Sequence, residues 1–169
     1  MGNAKQKPMN KKNTRNILIG FSALIILVAV FFALKGITGV KPISPATGTD
    51  IKITKSQITE TAQFIPYKSG GTNMELVAVK APDGTIRTAF NTCQVCANSG
   101  RGYYKQEGDE LVCQNCGNRF KTSEVEKQKN GCNPVPILDE SKTDDGTTIT
   151  ISQSFMDQNK SLFGNWKKG

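Results

Sequence analysis

The first strong pattern along the chain is an apolar run with no alternation. Ile17 to Leu34 reads ILIGFSALIILVAVFFAL, eighteen residues without a charge and with Ser22 as the one polar side chain. At about 1.5 Å per residue a helix of this length spans roughly 27 Å, close to the hydrocarbon thickness of a bilayer. The competing reading is a cleaved signal peptide, whose apolar region is shorter, about 7–15 residues. No small-x-small cleavage site follows the run, and no lipobox cysteine lies nearby, since the first cysteine is Cys93. The expectation is an uncleaved transmembrane anchor over 17–34. After it, Gly36 to Asp50 is rich in Gly, Pro, Ser and Thr and reads as a tether, so 35–50 is taken as a linker.

Beyond the linker the pattern becomes that of short strands. Ile51 and Ile53 alternate with Lys52 and Thr54, and Ala62-Gln63-Phe64 leads through Pro66 to the turn Ser69-Gly70-Gly71. Met74 to Lys80 (MELVAVK) is a strand by its β-branched and apolar content. Pro82-Asp83-Gly84 is a turn, because proline pre-sets φ and glycine accepts positive φ. Thr85 to Phe90 then returns as the hairpin partner. Tyr103-Tyr104 and Leu111-Val112 form a second hairpin about Gly108-Asp109. Ser123 to Lys129 is expected to make one or two helical turns, Thr147 to Ser152 a late strand, and Phe155 to Phe163 a short terminal helix. The fold class is therefore mainly β: a small β-rich ectodomain after one transmembrane helix.

Charge sharpens the membrane reading. The formal net charge is +8, from 22 Lys+Arg against 14 Asp+Glu. Five of the positives, Lys5, Lys7, Lys11, Lys12 and Arg15, lie in residues 1–16 with no acid among them. Residues 35–169 keep a net charge of only +3. A nucleic-acid footprint would cluster its basic residues on the folded part, so no nucleic-acid partner is expected. Basic residues before the span favour a cytoplasmic N-terminus and an extracytoplasmic remainder.

The chain has no histidine, which excludes a Ser-His-Asp or Cys-His triad, a His-ligated haem and an HExxH zinc site. Ala97 and Gly117 follow the two CxxC pairs, so c-type haem attachment is excluded as well. No catalytic acid–base pair stands out among the scattered carboxylates, and no hydrolytic activity is expected.

The candidate chemistry lies in five cysteines. Cys93-Gln-Val-Cys96 and Cys113-Gln-Asn-Cys116 have the spacing C-x2-C-x16-C-x2-C, which suits a four-thiolate ribbon site. A two-residue gap lets both sulfurs of a knuckle face one ion, and two knuckles on neighbouring hairpins complete a tetrahedron. Four thiolates suit zinc, a mononuclear iron or an iron–sulfur cluster. The alternative is disulfide bonding, since an extracytoplasmic setting is oxidising. Paired CxxC disulfides close only tiny loops and stabilise little, although cross-pairing between the two pairs stays open. Cys132, in Gly131-Cys132-Asn133-Pro134-Val135-Pro136, is unpaired by this count. It reads as readily as a packed side chain as a functional one, the latter being a fifth ligand, a proton-coupled redox partner or a covalent link to another protein.

Taken together, Ala89 to Cys96 (AFNTCQVC), Gly102-Tyr103-Tyr104, Leu111 to Cys116, Arg119-Phe120 and Gly131 to Pro136 (GCNPVP) resemble the FtrD-like domain. That is a family of bacterial membrane iron–sulfur-containing proteins, and the resemblance covers roughly residues 50–138. It implies a membrane-linked, metal- or cluster-binding role associated with high-affinity iron uptake. It further implies that Cys93, Cys96, Cys113 and Cys116 are the metal ligands and Cys132 an additional functional thiol. Unlike longer members, this chain has one candidate span and no C-x2-C-x2-C-x3-C-P run.

The resulting expectation has five parts: a cytoplasmic basic tail over 1–16, the anchor, the linker, a metal-binding domain over 51–138, and a C-terminal strand and short helix over 139–169. The expected function is a membrane-anchored accessory of metal uptake, with iron as the expected metal, or of an associated electron transfer, working with a membrane transport or redox partner protein. Two other classes stay open: a structural zinc-ribbon interaction module, and a thiol–disulfide protein using Cys132.

Overall fold

The computed structural model describes residues 45–127 and 131–168. Every described element belongs to one compact unit, Ile43–Gly169. The basic tail, the anchor and most of the linker lie outside the described residues. Among the described residues no helix is long and apolar enough to cross a membrane.

The domain is mainly β. Its strands are β1 (Ala46–Thr47), β2 (Ile51–Thr54), β3 (Gln63–Ser69), β4 (Thr72–Lys80), β5 (Ile86–Cys93), β6 (Tyr104–Glu107), β7 (Glu110–Cys113), β8 (Arg119–Lys121), β9 (Pro134–Pro136), β10 (Thr143–Asp144) and β11 (Thr148–Ile151). One α-helix, α1 (Gln153–Gln158), follows, capped by the Ser152 hydroxyl, which accepts from the Phe155 N–H at 3.2 Å. The strands form a five-stranded sheet in the order β1-β3-β4-β5-β9 and two three-stranded sheets, β10-β11-β2 and β6-β7-β8.

The β4–β5 hairpin is built as its sequence suggests. Gly84 closes the turn at φ +82, its N–H donating to the Ala81 carbonyl, while Asp83 accepts from the Thr85 N–H at 3.1 Å. Every residue from Met74 to Val79 is buried, because both faces of β4 are covered. The pleat sends alternate side chains to opposite faces. Met74, Leu76 and Ala78 enter a core with Phe90, Ile51, Ile53, Ile149, Ile151 and Met156. Val77 and Val79 enter a second core with Ala89, Cys93, Tyr104, Leu111, Cys113 and Phe120. Full burial of each large apolar side chain contributes roughly 1.5–3 kcal/mol. The cysteine-bearing hairpins therefore lie against one face of the main sheet, and β2, β11 and α1 against the other.

Several boundaries depart from the sequence pattern. Ala46 and Thr47, inside the stretch read as linker, pair in parallel with Tyr67 and Lys68. The segment after 138 is integral rather than appended: β11 pairs with β2, and Ile149, Ile151, Met156 and Phe163 fill the first core. The helical turns expected over 123–129 reduce to one short 3-10 turn, Thr122–Glu124. Glu126 then takes φ +69, a left-handed conformation that a helix does not continue through, and residues 128–130 lie outside the described set. The terminal helix is split into α1 and a 3-10 turn at Lys160–Phe163, separated by Asn159.

Candidate metal centre

Three backbone segments converge on one place. The first knuckle begins where β5 ends: the Cys93 N–H donates to the Gly102 carbonyl, and the Cys96 N–H points back at Cys93 Sγ, 3.3 Å away. Gly102 is required at its position. A Cβ there would stand 2.6 Å from the Cys96 carbonyl oxygen, nearer than any side chain can approach. The second knuckle begins where β7 ends. The Cys113 N–H donates to the Asn118 carbonyl, and the Gly117 N–H returns to the Cys113 carbonyl with Gly117 at φ +74. The Gln114 N–H donates to the Tyr103 carbonyl at 2.8 Å, and Arg101 donates to the Gln114 carbonyl at 3.2 Å, tying the two knuckles together.

The third segment carries Cys132. Pro134 pairs with Cys93 across an irregular β5–β9 register, and the Gln94 N–H donates to the Asn133 carbonyl at 3.2 Å. The Asn118 side-chain amide donates to the Cys132 carbonyl at 2.9 Å. Cys132 Sγ is thereby set 3.3 Å from Cys93 Sγ and 3.0 Å from Cys116 Sγ. The ligand atoms of Cys93, Cys96, Cys113 and Cys132 all lie within 4.8 Å of one another. All five cysteines are free thiols; Cys93 and Cys113 are buried, Cys96 and Cys132 half-buried, and Cys116 exposed. The five residues singled out by sequence are thus gathered, with Cys132 inside the group rather than beside it.

The chain belongs to the FtrD-like family. Residues 57–163 match that family's description, a membrane iron–sulfur containing protein, FtrD-like. No curated protein and no solved structure matches the chain significantly. The FtrD-like match runs well beyond residue 138, in keeping with a C-terminal segment that packs into the same domain.

The electrostatics of this FtrD-like site separate the thiols. Burial works against a Cys93 thiolate, but hydrogen bonds from the Tyr104 hydroxyl, the Cys96 N–H, Cys132 and the Val95 N–H outweigh it and hold its pKa below the ordinary thiol value. Hydrogen bonding with Cys132, then with the Asn118 N–H, brings Cys116 down to about 7. Burial raises Cys96 to about 11 and also raises Cys113 and Cys132. The donor set is entirely sulfur, which suits iron or zinc.

Tyr103-Tyr104 stand among the residues that carry the family resemblance, but sequence spacing gave no sign of the Asn91, Glu75 and Lys168 support behind them. Tyr104 is fully buried, with its hydroxyl 3.8 Å from Cys132 Sγ. Asn91 grips the Tyr104 backbone from both sides: its carbonyl oxygen accepts the Tyr104 N–H at 2.7 Å, and its amide donates to the Tyr104 carbonyl at 3.3 Å. The same amide donates to Glu75 at 2.6 Å, and Glu75 in turn pairs with Lys168. The only available signal was a polar residue at an inward position of β5, since Asn91 shares the pleat face of Ala89 and Cys93.

Proposed function

We propose that this FtrD-like chain is a membrane-anchored, extracytoplasmic iron-binding accessory protein of iron uptake or of an associated electron transfer. The observation that carries the reading is the gathering of four cysteine sulfurs within 4.8 Å of one another. With metal–sulfur bonds of about 2.3 Å, thiolates around one tetrahedral ion stand roughly 3.8 Å apart, so a small adjustment that closes the longest separations and opens the 3.3 Å Cys93–Cys132 pair suits a single ion. Thiolates bound to different irons of a cluster are separated by bridging sulfides and need more room. A lone iron held by four cysteine sulfurs is itself an iron–sulfur centre, compatible with the family's description. Iron in such a site supplies one-electron exchange between its ferrous and ferric states. Hydrogen bonds from Tyr104 and the knuckle N–H groups stabilise negative charge on Cys93. The apolar run over 17–34 would hold the domain at the membrane.

A specific observation supports a second reading. Cys132 Sγ lies 3.0 Å from Cys116 Sγ and 3.3 Å from Cys93 Sγ, within a short movement of the roughly 2.05 Å of a disulfide. The test is elemental analysis and a visible spectrum on the detergent-solubilised full chain, purified without oxygen. Iron with thiolate-to-metal absorption supports the proposal. Zinc without colour would make the centre a structural clip. Metal-free protein with disulfides among these cysteines would transfer the function to thiol exchange.

A further inference from the structure

A tetrahedral ion takes four ligands, and five thiols converge here. Their attachment to the fold is unequal. Cys93 and Cys113 end buried strands, and Cys96 is backed by Gly102 and held through its carbonyl by the Ser99 hydroxyl at 2.7 Å. Cys132 is fixed on both sides, through its own carbonyl to Asn118 and through the neighbouring Asn133 carbonyl to Gln94. Cys116 differs. It lies on the open second knuckle, where Asn115, Gly117 and Asn118 are all exposed and no atom lies within 4 Å of where a Gly117 Cβ would be. The compact four-sulfur group includes Cys132 and leaves out Cys116, although the paired CxxC spacing supplies Cys116.

We propose that Cys93, Cys96, Cys113 and Cys132 hold the ion, and that Cys116 is a fifth, exposed thiol that exchanges it with a thiol-bearing acceptor. This rests on the metal-binding reading above and divides the labour within that site. Cys116 and Cys132 are the exchanging pair because their sulfurs are 3.0 Å apart. In the exchange Cys116 loses its proton and bonds to the metal while Cys132 lets go and regains a proton. Four sulfurs stay bound throughout, and no electron moves. An acceptor thiolate approaching the exposed knuckle then replaces Cys116 and its partners in turn. The consequence is a centre in which Cys93, Cys96 and Cys113 stay bound while Cys132 and Cys116 alternate as the fourth ligand.

The test uses the reduced full chain in detergent, loaded with zinc alone and briefly alkylated with iodoacetamide, with the modified cysteines mapped by mass spectrometry. A metal-free sample is treated in parallel. Zinc is expected to protect Cys93, Cys96, Cys113 and Cys132 while Cys116 is alkylated and the zinc is retained. Alkylation of Cys132 with Cys116 protected would overturn the proposal, as would protection of all five. Identical labelling with and without zinc would instead remove the metal-binding reading itself. A second variant, Cys116→Ser, is expected to keep its zinc and to release it several-fold more slowly to a competing dithiol. Loss of zinc from that variant would also overturn the assignment.

Discussion

Gly102→Ala is the sharpest test of how the first knuckle is held. The backbone of Gly102 is outside the left-handed region, so alanine meets no conformational penalty there and any effect is steric. The added Cβ would stand 2.6 Å from the Cys96 carbonyl oxygen, 2.7 Å from its carbonyl carbon and 3.0 Å from the Ala97 nitrogen, all backbone atoms that no rotamer change can move. Ordinary contact begins at 3.4 Å, so the two backbone segments must part by about 0.8 Å at the residue that supplies a site sulfur. Overpacking of this kind costs about 1–3 kcal/mol. Misplacing a ligand's support weakens metal binding about ten- to hundredfold. Urea unfolding of the metal-free protein reads the first effect, and competitive zinc titration reads the second. Gly117→Ala is the control: nothing lies within 4 Å of its Cβ, so the φ of +74 alone should cost about 1–2 kcal/mol. If Gly102→Ala unfolds like the parent and binds zinc as tightly, the close approach is not what holds Cys96, and the argument fails.

Asn91→Ala leaves the Tyr104 N–H and carbonyl, and Glu75, without their buried partner, so a loss of about 3 kcal/mol in urea unfolding is expected; a change within experimental error would refute the role of this network. In the reduced, metal-free protein, alkylation of Cys116 should reach half its maximal rate near pH 7 and that of Cys96 near pH 11, with mass-resolved labelling as the check and a reversed order as the refutation. The Asp145 carboxyl is held below its ordinary range by the Thr147 hydroxyl and by the Thr147 and Thr148 N–H groups. Its contribution is therefore present above the unfolded value of about 3.9 and is lost as pH falls through the lower folded value. Urea midpoints measured down through that window should fall less steeply in Asp145→Ala than in the parent.

What could be read from the sequence was local, and what could not was long-range. The β4–β5 hairpin was visible because proline, aspartate and glycine act within a few residues of the turn they make. The two knuckles were visible because ligand spacing is also a local property. Cys132 read as readily as a packed side chain as a fifth ligand, since its place depends on β9 pairing with β5 across forty residues of intervening chain. The same holds for Trp166, whose indole N–H donates to the Asn91 carbonyl at 3.0 Å, and for Lys168, which pairs with Glu75. Nothing in the composition of 139–169 says that its strand completes a sheet begun at Ile51. Tertiary pairing, not propensity, makes the expected C-terminal strand and short helix part of that core.

The division of β4 between two cores has a consequence for metal removal. Cys93 and Cys113 belong to the same packed group as Tyr104, Leu111 and Phe120, while Ile51, Ile149 and Met156 lie on the other side of the sheet. A ligand that binds only the folded form stabilises it by about 2.7 kcal/mol at a hundredfold excess over its dissociation constant. That stabilisation acts first on the elements whose local opening would separate the sulfurs. These are β6 and β7, which join the main sheet through side chains and the knuckle contacts. Chelation should therefore raise amide exchange in β6 and β7 most, and in β2, β11 and α1 least, with β4 and β5 between them because they serve both cores. Hydrogen-exchange mass spectrometry on chelated and zinc-loaded protein distinguishes this from a global effect. Equal loss of protection on both faces would mean that the domain opens as one unit and that the two cores are not energetically separable.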